Sequence, residues 1–179
     1  MSTTANEVQV HERSEHLKHS RRAELLAKRI EEGAALLAAF AETLSDSDWS
    51  KPASKTDHRT VGVIVHHVAS MYPIEVQVAQ AIAGGNAITD VTWDAVAQIN
   101  GKHAADQAAV SKAAALQLLR KNSSDAAAAV RNFTDEQLDT AAPFSLSYGA
   151  PVTAQFVIED HALRHSWHHL ARMRAVLGK

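Results

Sequence analysis

A chain of 179 residues, 46% of them apolar, is long enough for one domain with a sizeable core, and a net charge of −2 lacks the basic stripe of a nucleic-acid binder. The absence of cysteine excludes disulfides, thiol nucleophiles, iron–sulfur clusters and thiolate zinc sites, so any metal must be held by carboxylate or by some of the 11 histidines. With 7 Gly and 4 Pro there is little turn chemistry for a many-stranded sheet, and no run approaches the ~18 apolar residues of a membrane span.

Residues 1–13 are polar and aperiodic and read as a tail, leaving 14–179 as the domain; MSTTANEVQV has no apolar signal core, which points to a soluble cytoplasmic protein. From about Glu15 to Leu44, Leu26, Ile30, Leu37, Phe40 and Leu44 recur on one helical face, and Ser45-Asp46-Ser47-Asp48 with Pro52 ends the pattern. A second helix is predicted from Thr60 to Ala83, capped by Asp57 or Thr60, stopped by Gly84-Gly85 and bent at Pro73. Residues 86–102 form a crossover with a short helix around Thr92–Ile99. A third, alanine-rich helix is expected over 104–131, with Asn122-Ser123-Ser124 as its weak point. After a turn region with Pro143, Gly149 and Pro151, a last helix runs from Thr153 to Leu177. Four long helices in one small all-α domain imply a four-helix bundle.

Residues advance about 100° each along a helix, which sorts the histidines by face. In the second helix His67 sits among Val63, Ile64, Met71, Ile74, Val78 and Ile82, whereas His66 falls on the polar side with Ser70, Gln77 and Gln80. In the last helix His169 lies on the arc of Phe156, Ile158, Ala162, Leu163, Leu170 and Met173, and His165 lies at its edge. His161, about 40° from His165, and His168 fall outside that arc, and a bend would exchange the first pair. A lone inward histidine is ordinarily a hydrogen-bonded core residue. Three in one aliphatic core each need a donor and an acceptor, and a shared cation serves all of them. Two histidines at i, i+4 with a third from a neighbouring helix match a His₃ site that keeps one position open.

Val65-His66-His67-Val68-Ala69-Ser70 and His165-Ser166-Trp167-His168-His169-Leu170, with Trp93-Asp94, Asn100 and Thr134-Asp135-Glu136-Gln137-Leu138 between them, resemble the DinB-like (DinB/YfiT) superfamily of metal-binding four-helix bundles over about residues 20–177. The resemblance implies a bundle with a long crossover connection, a divalent metal such as zinc or nickel on His67, His165 and His169, and a homodimer. It also implies, for some relatives, S-transferase or maleylpyruvate isomerase activity with a low-molecular-weight thiol. Some of those relatives carry Glu where this chain has the first histidine of the last-helix pair, a departure that weakens a specific assignment to the isomerases.

A neutral His₃ set would leave the metal its full charge, suited to activating water in a hydrolase or a thiol cosubstrate in a transferase against a small electrophilic substrate. Glu75, two turns beyond His67, and Glu159 on the inward arc are the candidate catalytic bases, hydrogen-bond partners of the ligands, or fourth ligands. The alternative is a non-enzymatic small-molecule-binding bundle with a structural metal. Trp93 and Trp167 could line a pocket over the metal, while His11, His16 and His19 read as solvated. The basic cluster of Lys18, Arg21, Arg22, Lys28 and Arg29, balanced by Glu15, Glu24, Glu31 and Glu32, reads as a solvated helix face.

Overall fold

The computed structural model describes residues 20–179. The expected tail, the helical start at Glu15 and the trio His11, His16 and His19 lie outside that range. Helix α1 (Arg21–Glu42) opens where the Ser20 hydroxyl accepts from Ala23 N. It ends at a short helix α2 (Asp46–Trp49), begun by a capping box in which Ser45 and Asp48 satisfy each other's backbone. Helix α3 (Val61–Ala83) starts at Thr60, whose side chain accepts from Val63 N, and closes at Gly84.

The crossover departs from expectation. Its helix α4 (Trp93–Asp106) is longer than predicted, and α5 (Lys112–Arg131) begins later, after Ser111 caps Ala114 N. No glycine or proline marks the break, so the alanines on either side of 107–111 conceal it from sequence periodicity. Trp49 Nε1 donates to Val110 O at 3.1 Å and ties down the turn. Helix α4 buries none of its residues and lies outside the bundle.

A capping box between Thr134 and Gln137 opens the small helix α6 (Asp135–Asp139). Arg22 on α1 reaches over to pair with Asp135 and Asp139, and all three side chains remain open to solvent. The predicted turn region is an antiparallel hairpin, β1 (Ala141–Pro143) with β2 (Pro151–Thr153), registered Ala142 opposite Val152. Tyr148 and Gly149 turn the chain there with φ of 58° and 79°. The crossover is sewn to this hairpin, because Ile88 N donates to Pro143 O and Ser145 N donates to Ile88 O.

The last helix is not uniform. Helix α7 (Ala154–Val157) passes into a π-helical turn (Ile158–Leu163) and then into α8 (Arg164–Leu177). The wider turn shifts the phase of the helix, so that no single wheel fits both halves. Phe156, assigned inward with Leu163 and Leu170, is exposed, while its neighbour Val157 is fully buried. The architecture is a four-helix bundle of α1, α3, α5 and α7–α8, in which α5 packs on both α1 and α3 and the last helix closes the other side. The core is aliphatic and alanine-rich, as in Ile30, Leu37, Ile64, Leu119, Ala127 and Met173.

Candidate metal centre

His67 on α3 and His165 and His169 on α8 converge between the helices. Their ring centroids are 4.9 Å (His67–His165), 5.8 Å (His67–His169) and 5.0 Å (His165–His169) apart. Each offers a nitrogen, and the three nitrogens lie within 4.8 Å of one another. Imidazoles share one zinc at about 2.0–2.1 Å, so modest side-chain rotations bring this set onto a single cation. The i, i+4 pair and the facing helix thus form a group that could hold a metal ion.

The surroundings suit that role. Burial, reinforced by repulsion from a second positive charge among the neighbouring imidazoles, holds His67 down to about 3 and His169 down to about 2. Both therefore present lone pairs at neutral pH. His165 Nδ1 meets Glu75 Oε1 at 2.6 Å. A carboxylate oxygen accepts, so Nδ1 carries the proton and Nε2 is left free, the arrangement that orients metal-binding histidines. Next to His165, Ser166 is buried, and its hydroxyl meets Tyr72 OH at 2.6 Å, which fixes α8 against α3.

Of the two candidate carboxylates, Glu75 joins the group and Glu159 does not. Glu159 sits in the π turn, where its Oε1 accepts from Gln155 Nε2 at 3.0 Å. Trp93 is exposed at the start of α4, and Trp167 packs over Gly33 of α1. His168 is exposed on the other face of α8.

Two contributors escaped the sequence reading. His103 on α4 stacks on His66, with His66 Nδ1 and His103 Nε2 2.9 Å apart, and stands 5.5 Å from His67 between ring centroids. His66 is therefore half-buried under the crossover rather than simply polar-facing. Val96, Ile99, Asn100 and His103 recur at helical spacing, a signal that was available. Arg59, just before α3, is clamped by Asp57 at 2.9 and 2.7 Å, and its charge bears on His67, His103 and His169. Nothing in the local sequence marks it, since only tertiary packing brings that loop to the histidines.

Buried polar atoms ordinarily have partners. Among the described residues Arg59 Nη1, Glu75 Oε2, His103 Nδ1 and Ser145 Oγ have none. The first three belong to side chains that bond to, stack on or electrostatically influence the triad.

The DinB superfamily model matches residues 23–173, and the chain belongs to that superfamily. Among solved structures it is similar to YfiT from Bacillus subtilis, with 21% identity, 89% of this chain and 90% of that chain covered, and a TM-score of 0.70. That protein is described as a probable metal-dependent hydrolase with an unusual four-helix bundle topology. No curated protein matches the chain.

Proposed function

We propose that this protein is a metal-dependent cytoplasmic enzyme that turns water or a low-molecular-weight thiol against a small electrophilic substrate, with zinc or nickel held by His67, His165 and His169. The observation that carries the proposal is the convergence of three imidazole nitrogens within 4.8 Å in an aliphatic core. A divalent cation bound there would acidify a water or thiol and polarise the electrophile.

The chain's own residues do the rest. Glu75 accepts from His165 Nδ1 and orients the ring, which commits one of its oxygens and argues for a positioning carboxylate rather than a fourth ligand. Burial keeps His67 and His169 deprotonated and ready to bind. Arg59, fixed by Asp57, adds a positive charge that favours an anionic nucleophile. A thiol nucleophile has to come from a cosubstrate, because the chain has no cysteine. The description of YfiT supports the water-using arm, and the family resemblance supports the thiol arm and a homodimer.

Metal analysis of protein purified without a histidine tag should find about one divalent cation per chain. Cobalt-loaded protein should then develop a sulfur-to-metal charge-transfer band with glutathione-like thiols, or turn over esters or amides. Failure to retain or take up zinc, nickel or cobalt overturns the proposal. Uptake with neither a thiol band nor turnover leaves the non-enzymatic bundle as the better account. Light scattering tests the dimer.

A further inference from the structure

Crossover residues 89–109 are tied at both ends and loosely held in between. Ile88 N donates to Pro143 O at 2.9 Å and Ser145 N donates to Ile88 O at 2.8 Å, while Val110 O accepts from Trp49 Nε1 at 3.1 Å. Ile88 and Val110 also pack against the core. Between these anchors no residue is buried, and every backbone hydrogen bond stays within the crossover. Among the described residues, its side-chain hydrogen bonds to the bundle are those of His103, whose Nε2 stands 2.9 Å from His66 Nδ1 and 3.4 Å from Ser70 Oγ on α3. Elsewhere α4 meets α3 without close packing. Val96 and Ile99 line a groove with Met71, Ile74 and Val78, and its edges Ile74 and Ile99 are 48% and 57% exposed. His103 also covers the triad on this side. Its ring stands edge-on to His67, 5.5 Å away between centroids, and His67 and His169 keep only 5% and 7% of their surface.

We propose that residues 89–109 are a gate over the metal centre, lifting off α3 between the two anchors, with His103 as its latch. A small molecule cannot reach rings as enclosed as His67 and His169 unless a neighbour moves. The helices that carry them, α3 and α8, belong to the core and cannot part without opening the bundle. The loop with Arg59 is tied down by Asp57 and by Arg172, which donates to Ser54 and Thr56. Only α4 takes no apolar side chain out of the core when it leaves. The His66–His103 bond it breaks is exchanged for bonds to water, at small net cost. Residues 89–92 and 107–109, outside α4, supply the bends. Closed, the gate keeps water and competing solutes from the triad, and open, it admits the substrate.

What passes the gate rests on the metal-enzyme proposal, but the gate itself does not, and the test separates them. The chain has no cysteine, so introduced thiols have no competitors. Ile74→Cys and Ile99→Cys place one on each side of the groove, and a short bis(methanethiosulfonate) joins them by disulfides that a phosphine reduces. Diethyl pyrocarbonate acylates accessible neutral imidazoles, and mass spectrometry reads each histidine separately. In the full chain treated with a chelator, the link should slow acylation of His67 about tenfold or more. It should leave the exposed His58 and His168 unchanged, and the phosphine should reverse the effect. Without the link, His103→Phe keeps a ring but loses the latch, and should speed acylation of His67 about threefold or more. Ile74→Cys with Val96→Cys repeats the linked measurement if the first pair is not bridged or loses its helical circular dichroism. An equal His67 rate with and without the link overturns the gate. An unchanged or slower rate in His103→Phe overturns the latch. Metal uptake is measured in parallel: a gated His67 in a protein that takes up no zinc, nickel or cobalt overturns the metal-enzyme proposal and leaves the gate standing.

Discussion

The tandem His168-His169 places two chemically identical side chains in opposite environments. His169 is buried and held neutral, and its ring stands 5.8 Å from His67 between centroids, while His168 points to solvent. On the proposed ligand set, removing His169 would take one of three donors from the cation, whereas removing His168 would take none, although the two rings touch edge to face at 5.1 Å. His169→Ala should therefore lower zinc affinity by more than the roughly 10–100-fold typical of a lost hydrogen-bond partner behind a ligand, and His168→Ala should change it by no more than a few-fold. Chelator competition with both variants checks this, and equal losses would mean that the inward and outward assignments are wrong.

At the scale of elements, Pro73 and Asn122 belong together. Pro73 lies inside α3 and has no N–H for the carbonyl four residues back, which is that of Ala69. That oxygen accepts instead from Asn122 Nδ2 of α5 at 2.9 Å. The segment expected to be the weak point of α5 thus repairs a defect in α3 and locks the two helices in register. Asn122→Ala should cost about 1–3 kcal/mol by leaving the carbonyl unsatisfied. In a Pro73→Ala background the helix supplies its own donor, so the cost should shrink, and urea denaturation of the double-mutant cycle measures the difference. Close helix packing gives a second contrast. A Cβ at Gly62 would stand 2.3 Å from Trp49 Nε1, and one at Gly33 2.7 Å from Trp167 Nε1. Trp49 is pinned by its bond to Val110 O, whereas Trp167 is 41% exposed and can swing outward. Gly62→Ala should destabilise by about 1–3 kcal/mol through overpacking. Gly33→Ala should cost less or nothing, since alanine is the better helix former by about 1 kcal/mol.

For the molecule as a whole, burying the triad ties stability to pH. In the unfolded chain His67 and His169 take up protons near pH 6.5, while in the fold burial holds them to about 3 and about 2. Between those limits the unfolded state binds more protons, so stability rises with pH. It is complete above about pH 6.5 and is lost progressively as the pH falls towards 3. From pH 7 to pH 5 each of the two histidines should remove about 2 kcal/mol from the metal-free protein. Urea denaturation at the two values measures this, and His67→Gln should reduce the loss by about 2 kcal/mol, the remainder coming from His169 and from His66, His103, His161 and His168, which burial also holds below their ordinary values. Added zinc should oppose it, because binding to the native state alone stabilises that state.

Much of this molecule follows from local order. Helical periodicity places four long amphipathic segments, serine and threonine mark their starts, and the spacing His165-x₃-His169 with an inward His67 is a property of the chain itself. These features depend on backbone geometry and nearest neighbours, which a single sequence carries. The π turn is different: it rephases Phe156 and Glu159 relative to His165, and no residue type announces it. The break before α5 hides in alanines. The choice of Glu75 over Glu159 and the approach of Arg59 and His103 depend on which loops and helices meet across the bundle. The sequence by itself determined a helical bundle with inward histidines. Tertiary structure alone decided what surrounds them, because contacts between residues far apart in the chain are set by packing and leave no local periodic signal.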